Sequence, residues 1–305
     1  MKKITKILSL FLIALTLFTV SPIIEKALPA DKTVAVAEAA SIRLNKTAVT
    51  LIEGNSIKLK VKGTKKKVKW STSKKKVATV KNGKVTAKKE GTATITAKVA
   101  GKKLKCKVTV KPVPVTTKKI AATYYKTTNL DGVVGFLKNN NNRAVSVTLT
   151  VVFYDAAGKM IGNSSDFNYC LESGRTCVMH AYNPTVEGKR VDFKTFKTSL
   201  KVSDSNYIKK CRAKDIVITS NISDGKVFVE STNVGTRKFD TINVSIVYYD
   251  GNGNVVACDD SYLDCEDPGS NAYDTFYIPN DNLSDDYVDI TFTSYKIIVN
   301  HAYTY

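Results

Sequence analysis

Apolar and polar residues alternate along most of this chain. Ile57, Leu59 and Val61 are separated by Lys58 and Lys60, with Lys62 following. Ala93, Ile95, Ala97 and Val99 alternate with Thr94, Thr96 and Lys98. Leu104, Cys106, Val108 and Val110 alternate with Lys105, Lys107 and, past Thr109, Lys111. The period of two returns in Val147, Leu149, Val151 and Phe153, and again in Ile242, Val244, Ile246 and Tyr248. Successive side chains of a strand point to opposite faces, so each run predicts a strand with one buried face and one wet face. No long stretch has the helical period. Turn signals at Glu53-Gly54-Asn55, Lys81-Asn82-Gly83, Lys89-Glu90-Gly91 and Ala100-Gly101 close the first strands at short intervals. The pattern predicts an all-β chain of tandem β-sandwiches. Trp70, the single tryptophan, shares inward parity with Val68 and is expected to be the largest piece of the first core.

Residues 1–40 read differently. Lys2, Lys3 and Lys6 precede an uncharged apolar run from Ile7 to Val20, and Ala37-Glu38-Ala39 offers a small-residue cleavage site. The run is too short for an ordinary membrane helix, so a cleaved signal peptide is expected. The long interval between Val20 and Ala37 keeps an uncleaved N-terminal anchor open. No second apolar run exists, and no cysteine precedes Cys106, which argues against a lipid anchor. The expectation is a secreted or surface-associated protein with no membrane span beyond the signal segment.

Charge is concentrated. Residues 41–111 hold 22 lysines and arginines against two acids, Glu53 and Glu90, which equals the +20 of the whole chain. Within this segment, Leu44-Asn45-Lys46-Thr47, Val68-Lys69-Trp70-Ser71-Thr72-Ser73, Val77-Ala78-Thr79-Val80, Gly83-Lys84-Val85-Thr86-Ala87 and Gly91-Thr92-Ala93-Thr94-Ile95-Thr96-Ala97 resemble the bacterial immunoglobulin-like domain, group 2. The resemblance implies a small Ig-like sandwich used as a spacer or display module on bacterial surfaces. It implies no catalytic residue. The lysine load departs from that family's pattern. A bland reading makes the lysines a solvated face that stops strand edges from pairing. A sharper one makes Lys58, Lys60, Lys62, Lys65, Lys66, Lys67, Lys74, Lys75 and Lys76 the electrostatic contacts for an anionic cell-wall polymer or host glycan. With Arg43 the lone arginine, bidentate recognition is not expected, and binding should be salt-sensitive. No aromatic stacking platform accompanies the lysines, so specific nucleic-acid readout is not expected.

After a linker at 112–118, the rest repeats itself. Val151-Val152-Phe153-Tyr154-Asp155 recurs as Ile246-Val247-Tyr248-Tyr249-Asp250, and the offset of 95 carries Cys170 onto Cys265 and Gly174 onto Gly269. Two sandwich repeats, 119–208 and 209–305, are the economical reading. Gly135-Phe136-Leu137-Lys138-Asn139-Asn140 and Phe153-Tyr154-Asp155-Ala156-Ala157-Gly158, with Tyr248-Tyr249-Asp250-Gly251-Asn252-Gly253, resemble FxLYD-type extracellular repeats, a likeness that implies location and fold but no activity. Residues 112–211 carry 14 bases and seven acids, and 212–305 six and 15. That polarity admits head-to-tail contact between copies, and other surface proteins are conceivable partners.

Cys170 and Cys177 flank a turn-like stretch and are the expected disulfide. Cys258 and Cys265, on one predicted strand, need other partners, with Cys211 the nearest candidate for one of them. Cys106 is expected to be buried. Asp250-Gly251-Asn252-Gly253-Asn254 looks like a calcium loop, but Asp155-Ala156-Ala157-Gly158-Lys159 fills the same slot without those oxygens, so a hairpin turn is expected. Calcium binding by the acidic run Asp259–Asp267 stays open. The two histidines, His180 and His301, fall in separate repeats with no metal-ligand spacing, and His180 reads as structural. No nucleophile elbow or phosphate loop appears. A non-catalytic protein without metal or cofactor is expected. A structural spacer with no ligand of its own is the alternative to the polymer-binding reading.

Overall fold

The computed structural model describes residues 41–127, 132–187, 189–205, 210–277 and 290–304. The signal segment therefore lies outside the described residues. The chain divides into two compact units at Pro112/Val113. Among the described residues no helix is long and apolar enough to cross a membrane.

The first unit contains β1 (Arg43–Leu44), β2 (Ala48–Ile52), β3 (Ser56–Lys58), β4 (Val61–Lys62), β5 (Lys69–Thr72), β6 (Ala78–Lys81), β7 (Lys84–Ala87), β8 (Gly91–Val99) and β9 (Lys102–Lys111). One sheet has the order β2-β9-β8-β5, with β2 parallel to β9. The facing sheet has the order β3-β7-β6, and β1 pairs with β4. The alternating residues meet inside as expected: Ala93, Ile95, Ala97, Cys106, Val108 and Val110 from one sheet face Ala78, Val85 and Ala87 from the other. Cys106 is fully buried, and burial pushes its thiol pKa up. Trp70 corrects the expectation. It is only half-buried, and its indole lies at the core's margin against Gly83, where a Cβ would come within 3.2 Å of Cζ2 and 2.5 Å of the Leu59 carbonyl. The fully buried positions hold Leu59, Ile95, valines and alanines instead, and the indole packs against them from the side.

The second unit holds both repeats. The first contributes β10 (Ile120–Lys126), β11 (Gly132–Asn139), β12 (Val145–Tyr154), β13 (Met160–Leu171), β14 (Thr176–Tyr182), the short pair β15 (Thr185–Val186) and β16 (Lys189–Arg190), and β17 (Thr195–Asp204). Its sheets are β10-β11-β14 and β13-β12-β17. The other repeat contributes β18 (Lys210–Cys211), β19 (Ile216–Ser223), β20 (Lys226–Asn233), β21 (Thr241–Tyr249), β22 (Val255–Tyr262), β23 (Asn271–Tyr277) and β24 (Ser294–Thr304), in sheets β19-β20-β23 and β18-β24-β21-β22.

Two local features recur at or near the spacing of the sequence repeat. The register slips between Phe153 and Tyr154 on β12 and between Tyr248 and Tyr249 on β21, 95 residues later. Asn139, fully buried, donates to the carbonyls of Arg143 and Leu171 (2.9 Å each) and accepts from the Asn141 N–H (2.9 Å). Asn233 does the same with Arg237 (2.9 Å), Glu266 (2.8 Å) and Gly235 (3.0 Å). One amide thus supplies three bonds that the corner's buried backbone would otherwise lack.

The disulfide expectation is also corrected. Cys170 bonds Cys211, with a Cα separation of 6.0 Å, and Cys177 is free and buried. The Glu172–Arg175 turn does not close a hairpin. It carries the chain from the β13-β12-β17 sheet to the β10-β11-β14 sheet, so Cys177 faces the core. The bond ties the end of β13 to β18, and closing 41 residues of chain is worth about 4 kcal/mol in the chain-entropy account. Cys106, Cys258 and Cys265 are buried as well and form no disulfide.

Two outcomes follow from local geometry. Ala100 holds φ of +48° beside Gly101 at +75° in the β8–β9 turn, a conformation suited to Asn-Gly. Ala100→Asn should stabilise the first unit by ~1 kcal/mol, read from Trp70 fluorescence in a urea melt; an unchanged midpoint would refute the turn assignment. Asn139→Ala and Asn233→Ala should each cost ~2–3 kcal/mol by stranding buried carbonyls, measured by tyrosine near-ultraviolet circular dichroism. Losses below ~0.5 kcal/mol would show that the amides are not what holds the corners.

Candidate functional site: lysine rows and an inter-repeat seam

All nine lysines singled out in the sequence are exposed, but the fold scatters them. Lys58 lies on β3, Lys62 on β4 and Lys60 between them. Lys58 Nζ donates to the Asn82 carbonyl (2.5 Å), and Lys60 is held by its backbone N–H on Asn45 Oδ1 (2.7 Å). Lys65, Lys66 and Lys67 occupy the loop before β5, and Lys74, Lys75 and Lys76 the turn before β6. Of the nine, Lys67 joins a denser cluster on one sheet and Lys58 a row on the other.

That cluster is set by cross-strand register. Lys69 on β5 stands opposite Lys98 on β8, and Lys98 opposite Lys103 on β9. Directly opposed Cβ atoms are ~5 Å apart, so three ammonium stems share one row on the sheet's outer face. Lys67 and Lys102 complete a basin of about 280 Å³ over the Ala100-Gly101 turn. Along β9, Lys103, Lys105 and Lys107 follow on the same face at intervals of ~7 Å. Their pairing partners beyond Lys98 are Thr96 and Thr94, with Ser71 opposite Thr96, so hydroxyls carpet the space between the charges. The other sheet carries a second row, Lys58–Lys84–Lys81.

Nothing in the module neutralises these rows. Glu53 accepts from the Glu90 N–H (2.8 Å), and among the described residues no lysine of 41–111 enters an ion pair. Like charges opposed across a ladder are destabilising by up to ~1 kcal/mol per pair. An anion lying over the row removes that repulsion and gains attraction. Lys69, Lys98, Lys102 and Lys103 were hidden in ordinary strand alternation. The signal that exposes them is the two-residue Ala100-Gly101 turn, because such a turn fixes register and sets Lys98 against Lys103.

A second polar assembly lies where the repeats pack. Val134 and Val178 of the first meet Val247, Val255 and Cys258 of the other. Asn300 sits at a β24 bulge, without a Cα partner on β21. Its amide donates to Asn243 Oδ1 (2.9 Å) and Ser245 Oγ (2.6 Å), its Oδ1 accepts from the Val178 N–H (2.8 Å), and its carbonyl accepts from Asn168 Nδ2 (3.2 Å). Beside it, Asp166, His180, Asp260 and His301 line a polar cavity of about 50 Å³. Sequence reading kept the two histidines apart; folding brings them to one cavity. Asp166 accepts from the His180 N–H (2.9 Å), and the His180 ring packs on Tyr182. His301 is 4% exposed, and neither ring nitrogen has a hydrogen-bond partner. Among the described residues no three acidic, His or Cys side chains gather as a metal-binding set. Asp250 accepts from the N–H groups of Asn252 (2.9 Å) and Asn254 (2.8 Å) and from the Asn254 amide (2.8 Å), and these bonds hold its carboxyl pKa below the usual range. It closes a hairpin, as its counterpart Asp155 does through the Lys159 N–H (2.9 Å).

Burial lowers the His301 pKa from 6.5 to about 4, while burial raises the Asp166, Asp259 and Asp260 carboxyls. The unfolded chain binds a proton on His301 below pH 6.5 that the folded chain refuses, so this residue removes stability as pH falls from 6.5 to about 4. The carboxyls act oppositely, adding stability as pH falls towards 3.8. His301→Phe should therefore gain on the natural chain across that histidine window by ~3 kcal/mol, seen as diverging urea midpoints. Parallel pH curves would contradict the assignment.

The S-layer protein SbsC, domains 5-6, aligns at 15% identity over 73% of this chain and 95% of that one, with a TM-score of 0.21. Dimeric latent PorU from Porphyromonas gingivalis aligns at 12% identity over 84% of this chain and 30% of that one, with a TM-score of 0.20. Among curated proteins none matches the chain. The likeness of the two repeats to FxLYD-type repeats has no counterpart in these matches. Residues 38–110 match the family model of the bacterial Ig-like domain (group 2), which covers the lysine-bearing sandwich.

Proposed function

We propose that this is an exported, non-catalytic surface protein whose first sandwich holds an anionic polymer of the cell wall. The observation that carries the reading is the Lys69–Lys98–Lys103 row, bordered by Lys67 and Lys102, with no acidic partner in the module. Ammonium groups at ~7 Å steps along β9 present a line of charges, which suits a chain of repeated anions better than an isolated anion. Contacts of this kind are point charges, so affinity comes from their number and falls steeply with salt. The domain class of 38–110 and the export segment expected at 1–40 support a surface location.

A spacer role is the second reading. It is favoured by the plain alternation of threonine and lysine with buried Ala, Ile, Cys and Val on β8 and β9, which the wet face of any soluble sandwich would use. Retention on purified cell walls separates the two. The full chain should bind at low salt and release progressively as salt rises. Lys69→Gln/Lys98→Gln/Lys103→Gln should lower affinity at least about tenfold and flatten the salt dependence, with the Trp70 signal unchanged. Absence of low-salt retention, or equal retention of the triple variant, would leave the spacer reading.

A further inference from the structure

We infer that the other end of the chain carries a separate binding face for a neutral glycan, on the outer side of the β19-β20-β23 sheet. The inference does not rest on the lysine rows. Register lays the face out row by row. Ser223, Lys226 and Tyr277 form one row; Asn221, Phe228 and Thr275 form the next; Thr219, Glu230 and Tyr273 form the third. The opposite parity, Val227, Val229 and Phe276, is buried in the core. Three rings therefore stand in water, with Phe228 42%, Tyr277 66% and Tyr273 77% exposed. A groove of about 360 Å³ runs past Asn221, Phe228, Glu230 and Tyr273. That volume is in the range of small-molecule sites.

The first repeat is an internal control. Aligned through the two corner asparagines and the 95-residue offset, Phe228 takes the place of Val134, Tyr273 that of Val178, and Glu230 that of Phe136. In the first repeat this face is dry: Val134 and Val178 are buried against Val247 and Cys258. In the next repeat the same positions carry two aromatic rings and a carboxylate. The rings alone would suit sheet packing, but a carboxylate in place of Phe136 is costly in a permanently dry seam. A ligand with a flat C–H face and a rim of hydroxyls suits both, because rings take the face and the carboxylate, amide and hydroxyl side chains take the rim. A pyranose ring has that chemistry.

The groups are braced. The Tyr273 hydroxyl donates to Glu230 Oε1 (3.2 Å), and the Lys226 ammonium lies 5.2 Å from the Tyr277 ring centroid. Glu230 and Lys226 balance on the outer face, and Asp274 adds a second carboxylate to the groove lining. The face sits in a segment with 15 acids against six bases, which repels the polyanion the first sandwich attracts. Charge thus excludes a polyanion here, and the rings and polar rim are what favour a neutral chain.

Affinity electrophoresis of the full chain through gels containing soluble β-glucan, α-glucan, mannan or hydroxyethyl cellulose tests this, together with calorimetry on N-acetylglucosamine oligomers. All runs use about 0.5 M salt, where screening lengths of a few Å silence the lysines. At least one of these glycans should bind. Tyr273→Ala and Phe228→Ala should each weaken binding about tenfold or more, Tyr273→Phe should retain most of it, and the Lys69/Lys98/Lys103 triple variant should bind normally. Unchanged circular dichroism keeps the alanine variants interpretable, since both side chains are exposed. No binding across the whole set, or wild-type binding by both alanine variants, would overturn the inference. So would a sedimentation mass that rises with concentration and falls back in Tyr273→Ala, which would assign the face to a second copy of the chain.

Discussion

A two-layer sandwich needs only one face of each sheet, and that constraint organises this protein. Strand alternation sends every second side chain to the shared core, and the core is small and repetitive: alanine and valine in the first unit, valine, isoleucine and phenylalanine in the repeats. The outer faces are then free to differ without disturbing the fold. One sheet of the first unit presents lysine and threonine. In the first repeat the outer face of β10-β11-β14 carries valine and phenylalanine and is sealed against its neighbour. The corresponding face of the next repeat carries tyrosine, phenylalanine and glutamate and stays open. The same architecture yields three surfaces of different chemistry.

Much of this was legible in the residues. The period of two located the strands, and at the 95-residue offset a register slip recurs. Failures occurred where partners are set by tertiary pairing rather than by spacing. Trp70 has inward parity, yet parity does not say how far from the sheet centre a side chain lies. Cys170 and Cys177 flank a turn, yet only the topology shows that this turn changes sheets and leaves Cys211 as the partner. The lysine triplets at 65–67 and 74–76 drew attention because they are contiguous. The register-built row drew none, because its members are 29 and five residues apart in the chain and become neighbours only across β5, β8 and β9.

The inter-repeat seam shows why two similar sandwiches behave as one compact unit. Apolar contact alone, five buried residues and a few at the margin, is modest. Asn300 adds specificity, because its side chain and carbonyl satisfy polar groups on both repeats, and a slip of one residue would leave them unpaired in a dry place. The Cys170–Cys211 bond and the Glu172 carboxylate accepting from the Ala213 N–H (2.9 Å) act at the connection itself. Hydrophobic area supplies adhesion, the bulge asparagine fixes register, and the covalent link limits how far the repeats can separate.

The lysine rows are then informative because they oppose stability. A row of like charges across three strands works against a core of small side chains that has little energy in reserve. Solubility does not require that placement, since the same residues could be staggered along the strands at lower cost. Screening at physiological salt, with a Debye length of about 8 Å, weakens the repulsion without removing it between stems one strand apart. A polyanion bound there would offset it, so occupancy and folding of the first sandwich would be thermodynamically linked: whatever binds the rows must also stabilise the fold that creates them.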